Sequence, residues 1–136
     1  MVDLVVTAAS VVAGATATSE PRIALATITA GQALYRDTTT ERVGLADNNS
    51  ATAAIREVFG IALNGGGVGQ PIRVLTAGPY TSGATMAAAT VYYLGDTPGA
   101  ICTVAGLGVG EFPTIIGISF STTVLDVRLH AAGVAL

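Results

Sequence analysis

The groups that could do chemistry are few and scattered. His130 is the single histidine, Cys102 the single cysteine, and the chain contains no lysine. A catalytic triad needs a nucleophile, a base and a group that orients the base. His130 stands in "VRLHAAG", two residues after Arg128, on the outward side of an alternating run. It reads as a surface or interface residue and not as a general base. Cys102 stands near Ala100, Ile101 and Val104 and reads as a small buried hydrophobe. One cysteine excludes a disulfide within the chain and a Cys-pair metal site. One histidine excludes metal sites built on several imidazoles. No cofactor is expected.

Two aspartates, Asp37 and Asp96, follow tyrosine-bearing runs, and each precedes a threonine. Paired carboxylates can share acid–base work. In this setting they read as turn residues whose carboxylates accept from nearby backbone N–H groups. Asp47 with Asn48, Asn49 and Ser50 lacks the spacing of a calcium loop. "NGGGVGQ" (64–70) lacks the lysine of a phosphate loop, and Gln70 stands where a dinucleotide fingerprint needs its third glycine. A glycine-rich hairpin loop is the reading.

Composition points towards a covered surface. Apolar residues make up 51% and charged residues 11%, against about 25% charged in ordinary globular chains. So little charge leaves a lone monomer poorly hydrated and weakly self-repelling, which implies that other protein covers part of it. The net charge is −3 and the six arginines are dispersed. Nucleic acid, which is gripped by Lys/Arg clusters, is therefore not an expected partner. Residues 4–19 are uncharged but too short and too rich in Thr, Ser and Gly for a membrane span. Asp3 stands where a secretory leader would be basic, so no leader and no membrane partner are expected.

The elements that carry these residues are β-strands, and the chain writes them twice. "ALYRD", "VFGIAL" and "IRVLTAG" are followed by "VYYLGD", "TIIGISF" and "VRLHAAG" in the same order. Tyr35 matches Tyr93, Gly60 matches Gly117, Arg73 matches Arg128 and Gly78 matches Gly133, at separations of 58, 57, 55 and 55 residues. The pseudo-repeats span 28–78 and 86–133. Two diverged copies in one domain suggest an all-β sandwich or barrel.

Alternation assigns faces. Phe59, Ile61 and Leu63 share one face, with Gly60 and Ala62 opposite. Ile116, Ile118 and Phe120 share another, with Gly117 and Ser119 opposite. Val127 and Leu129 point in, Arg128 and His130 out. Asn64-Gly65 signals a hairpin turn. At most one short helix is expected, over 49–59, with Ser50 as its cap.

Residues 1–27 lie outside the duplication, as an arm or an extra strand. An apolar uncharged stretch should lie along a neighbour or pair with a sheet edge. As an arm, its removal to about residue 20 should weaken association more than melting temperature. Candidate interface residues are Leu4, Val5, Val6, Val11 and Val12 of this stretch, with Arg73, Tyr80, Arg128 and His130.

The succession "ITAGQALYRD", "VFGIALNGGGVGQPIRVLTAGPYTSGATMAAATVYYLGDTPGAI" and "TIIGISFS" resembles the small capsid cement, or decoration, proteins of tailed bacteriophages, over roughly residues 28–125. The resemblance implies a β-sandwich or barrel of jelly-roll-like kind, without enzyme activity or cofactor. It implies a protein made in the host cytoplasm that sits on the virion, outside the capsid, and bridges neighbouring major capsid subunits. Closed homo-oligomers are the rule, so a dimer is expected first and a trimer second. The alternative is a β-rich host-recognition module of a tail fibre or baseplate.

Overall fold

Short apolar runs cut by glycine and proline favour short strands over helices. The computed structural model describes residues 3–136, and in it the runs form ten strands. They are β1 (Val12–Ala13), β2 (Thr18–Ile23), β3 (Ala33–Arg36), β4 (Val43–Leu45), β5 (Gly60–Ala62), β6 (Pro71–Thr81), β7 (Val91–Leu94), β8 (Ile101–Cys102), β9 (Thr114–Ser119) and β10 (Val124–Ala131). The only helical turns among the described residues are 3₁₀ segments at Ala8–Ser10, Ala53–Arg56 and Val104–Gly106. The expected helix over 49–59 is thus reduced to one turn, preceded by Thr52 and not capped by Ser50.

All named strands pair antiparallel, in the order β4-β3-β5-β6-β10-β9-β7-β8, as a sheet curled into a half-barrel. Read outward from its middle, the order is the same on both sides. β6, β5, β3 and β4 correspond to β10, β9, β7 and β8. The register corresponds too. Tyr35 faces Gly44 and Tyr93 faces Cys102. Leu34 faces Gly60, and Tyr92 faces Gly117.

The correspondence corrects one detail of the sequence alignment. Ile61 faces Leu75, whereas Ile118 faces Asp126. Leu75 therefore corresponds to Asp126 and not to His130, and Arg73 does not correspond to Arg128. A slip of four residues keeps every side chain on its expected face, so alternation cannot detect it.

β6 is the joint of the fold. Its first half pairs with β5, its second half with β10, and β1 and β2 run along its other side. Two apolar clusters result. The larger lies inside the half-barrel and contains Ala33, Ile61, Leu75, Tyr80, Tyr92, Leu94, Ile116, Leu125 and Val127. The smaller lies behind β5, where Leu34, Ala62, Ile72 and Val74 meet Ala24, Ile28 and Val43. β5 is consequently buried on both faces and not half-buried.

The leading segment is woven into its own chain. Asp3 bridges to Cys102, and the Leu4 N–H donates to the Ile101 carbonyl, which covers the free side of β8. Val12–Ile23 follows β6, and Ala24 and Leu25 cover β4 at Val43. Ile28 then exchanges backbone hydrogen bonds with Gly66. This last pair fixes the glycine-rich loop, in which Gln70 Oε1 accepts from the Gly67 N–H. Asn64 and Gly65 do not form a tight turn. Asn64 ties the ends of a longer loop by accepting from the Arg73 N–H and donating to the Pro71 carbonyl, and only Gly69 has positive φ there.

Candidate interaction surface

Sheet alternation builds a surface on the outside of β1, β6, β10 and β9. Tyr80, Leu125, Val127 and Ser119 point inward and are buried. Their neighbours must then point outward. Register places Val12, Thr81, Val124 and Phe120 in one row, and Pro79, Asp126, Ile118 and Val91 in the next. Phe120 is 63% exposed, Val12 59% and Ile118 44%. Val91, Val124, Pro79 and Thr81 are half-buried between them. One acid interrupts this face. Asp126 is 6% exposed, and its Oδ2 accepts from Arg128 Nε at 2.7 Å. The face is thus apolar and internally neutralised.

A break in the alternation of β9 creates this surface. Ile116, Ile118 and Phe120 were expected to share one face, but Ile116 is buried in the core while Ile118 and Phe120 are exposed. The pairing of β9 with both neighbours shifts register at Ile116, and two features hold the residues that follow. Gly117 lies against the Asp126 carbonyl, where a Cβ would collide with backbone. Ser119 is satisfied inside, donating through Oγ to the Ala87 carbonyl and accepting from the Thr90 N–H at 3.0 Å. A fully bonded hydroxyl can be buried at little cost. Ile118, Phe120, Val124 and Val91 were therefore missed as surface residues. The one available signal was the helpful length of the alternation, which carries a period but no sign.

The expected interface residues do not converge. Val11 and Tyr80 are core residues, at 8% and 1% exposure, because Val11 packs under the sheet and Tyr80 is on the inner face of β6. Leu4 and Val6 pack against the same core, while Val5 is exposed. Val12 alone of this group belongs to the apolar face. Arg73 lies on the far part of β6, where its Nε donates to Ser19 Oγ. Arg128 and His130 are exposed near the end of β10.

Three of the other arginines are occupied too. Arg22 pairs with Glu20 and Glu41, Arg36 with Glu41, and both lie over the Phe59 ring. Arg56 stacks on Phe112 at 3.7 Å.

No constellation of catalytic groups accompanies this surface among the described residues, and no three His, Cys, Asp or Glu side chains approach closely enough to share a metal ion. Asp37 closes a turn, accepting from the Thr39 and Thr40 N–H groups. A cleft of about 310 Å³ lies between Asp3, Leu4, Gln32, Thr97 and Ile101. Burial raises the Asp3 carboxyl above its ordinary range, Thr97 opposes this by a hydrogen bond, and Asp96 adds to it by repulsion. Cys102 is buried nearby. Desolvation, then the carboxylates of Asp3, Glu111 and Asp96, push its thiol up to about 11, which keeps it protonated and a poor nucleophile.

No protein-family model, no curated protein and no solved structure matches the chain.

Proposed function

We propose that this chain is a structural cement protein that binds the outside of a phage capsid and bridges neighbouring major capsid subunits. The observation that carries the reading is the exposed apolar face around Ile118 and Phe120. A contiguous apolar surface on a soluble β domain marks a place where protein is to be covered. Its single ion pair is made within the chain, so docking desolvates no unpaired charge on this face. The exposed aromatic in it, Phe120, is the type of side chain that anchors interfaces. The occupant is a subunit joint of the shell, a composite of two polypeptides that an extended sheet face can span. Many modest contacts repeated over a shell then act together. The resemblance of residues 28–125 to capsid cement proteins supports the same assignment.

The decisive experiment titrates purified protein onto capsids stripped of their decoration. Saturable binding with a higher shell melting temperature is expected. Absence of binding at micromolar concentration removes the proposal, and localisation of the protein to the tail redirects it to a fibre or baseplate component.

A further inference from the structure

Asn64 and Gly65, freed from the role of a tight turn, form an exposed pair with chemistry of its own. The Asn64 Nδ2 donates to the Gly65 and Pro71 carbonyls, each at 3.2 Å, and its Oδ1 accepts from the Arg73 N–H at 2.6 Å. The Gly65 N–H donates to no group among the described residues. In an asparagine followed by glycine, that nitrogen can close a ring on the side-chain carbonyl carbon Cγ, and glycine has no side chain to hinder the closure. The chain has two other asparagines, Asn48 and Asn49, and there the corresponding nitrogen is engaged. The Asn49 N–H, which follows Asn48, donates to Asp47 Oδ1 at 3.1 Å. The Ser50 N–H, which follows Asn49, donates more weakly to the Asp47 carbonyl at 3.5 Å, and Ser50 carries a side chain. Asn48 is also fully buried.

We propose that Asn64 is a site of spontaneous deamidation, and that its amide is the tie this reaction releases. The Gly65 nitrogen gives its proton to hydroxide and bonds to Cγ. The Arg73 N–H already polarises the Cγ carbonyl, and it holds the charge that gathers on Oδ1 as Cγ becomes tetrahedral. The bond from Cγ to Nδ2 then breaks, and Nδ2 takes a proton from water and leaves as ammonia. That step returns the hydroxide. Water opens the resulting succinimide at either carbonyl, to an aspartyl or an isoaspartyl residue at position 64. Nothing is oxidised or reduced, and water is the only co-reactant.

The product cannot keep the loop tied. The amide donates to two carbonyls, whereas the carboxylate that replaces it has no hydrogen to donate at neutral pH and sets negative charge against them. The Pro71 end of the 64–70 loop is then released. The same loop exchanges backbone hydrogen bonds with Ile28 through Gly66, and with Ala24 through Gly69 and Gln70. Ala24 and Ile28 belong to the smaller apolar cluster, so the loosening reaches the core behind β5. None of this depends on what the outer face docks to, so the two readings fail separately.

Incubation of the full chain in mildly alkaline buffer, followed over time by peptide mapping with mass spectrometry, tests the reaction. Asn64 should convert first, with isoaspartyl product present. Asn48 and Asn49 should convert roughly fivefold more slowly or less readily still, because the N–H groups that attack them must first be freed. The chain unfolded in urea is the reference. Folding should leave the rate at Asn64 undiminished and should slow Asn49. Asn64→Asp, which carries the charge of the product, should speed amide exchange at Gly66 roughly tenfold. A native chain that keeps Asn64 intact while the unfolded chain converts overturns the reaction, since the side chain's own hydrogen bonds then lock it. Unchanged exchange at Gly66 in Asn64→Asp overturns the role of the amide as the tie. Should that variant fail to fold, Gly66 exchange in the partly converted native chain decides the same point.

Discussion

Gly117 on β9 packs directly beneath the backbone carbonyl of Asp126 on β10, in the way that Gly60 on β5 packs beneath that of Leu75 on β6. The two contacts occupy corresponding places in the two halves, and neither glycine has positive φ. The requirement is therefore room and not backbone freedom. Any side chain would have to push two paired strands apart. Gly117→Val is expected to cost about 3 kcal/mol or more and to lower Tm by roughly 10 °C. Thermal melts of Gly117→Val beside Val109→Gly, an exposed loop substitution, measure this, and near-equal melts would refute the contact.

The same contact shows what the amino-acid order reveals and what it conceals. The β period, the turn role of Asp37, the outward placement of Arg73 and Arg128, and the splitting of Tyr92 from Tyr93 were readable, because each depends on neighbours in sequence. The break in β9 was not readable. Alternation runs on unbroken in the sequence from Ile116 through Ile118 to Phe120, and the register shift at Ile116 that sends Ile118 and Phe120 outward is set by pairing with β7 and β10, with Ser119 then bonded to Ala87 and Thr90. The double burial of β5 was hidden for the same reason, since its second cover is Ala24 from the leading segment with Ile28 and Val43. Tyr80 looked like an anchor for a partner because nothing local distinguishes an aromatic that faces Leu125's side of the core from one that faces water.

The leading segment now carries a different expectation from that of a free arm. It supplies β1 and β2, lays Val11 into the larger core and seals β4 and β8. Removing residues 1–20 would strip one side of β6 and expose Ile72 and Val74 at its margin. The loss of paired backbone and buried area is comparable with the whole stability of a small domain, about 5–15 kcal/mol. The truncated chain should be unfolded or aggregated, which circular dichroism and proton NMR dispersion would show. A truncated chain that stays folded and loses only association would restore the arm.

Cys102 offers a pH test. Its ordinary value is 9.0 and burial raises it to about 11. The folded state therefore resists the thiolate more than the unfolded state does. The corresponding stability is complete below pH 9 and is lost as pH rises towards 11. Burial raises the Tyr80 phenol as well, so it adds to alkaline unfolding in the same direction. At neutral pH the native thiol should react with a maleimide about a hundredfold more slowly than the denatured chain. Cys102→Ala should flatten part of the stability loss between pH 9 and 11 in urea titrations. Rapid labelling of the native protein would show that the thiol is accessible and its shift absent.

Ile118 and Phe120 separate folding from docking. Both side chains lie outside the core, so replacing them with serine removes few intramolecular contacts, and the double variant should stay within about 0.5 kcal/mol of the parent. The same replacement removes the largest exposed apolar groups of the candidate surface. Burying one such side chain at an interface contributes about 1.5–3 kcal/mol, which is roughly tenfold to a hundredfold in affinity. Binding to stripped capsids should therefore fall by at least tenfold, roughly, in Phe120→Ser alone and further in the pair. Val68→Ser is the matched control, because Val68 is 69% exposed but lies in the 64–70 loop away from this face. If the control and the double variant bind alike, the outer face of β9 and β10 is not what meets the shell. If only the double variant loses binding while all three melt together, the orientation of β9 has been selected for contact and not for stability. That distinction follows from Ser119, since the strand hides a hydroxyl in order to show a phenyl ring.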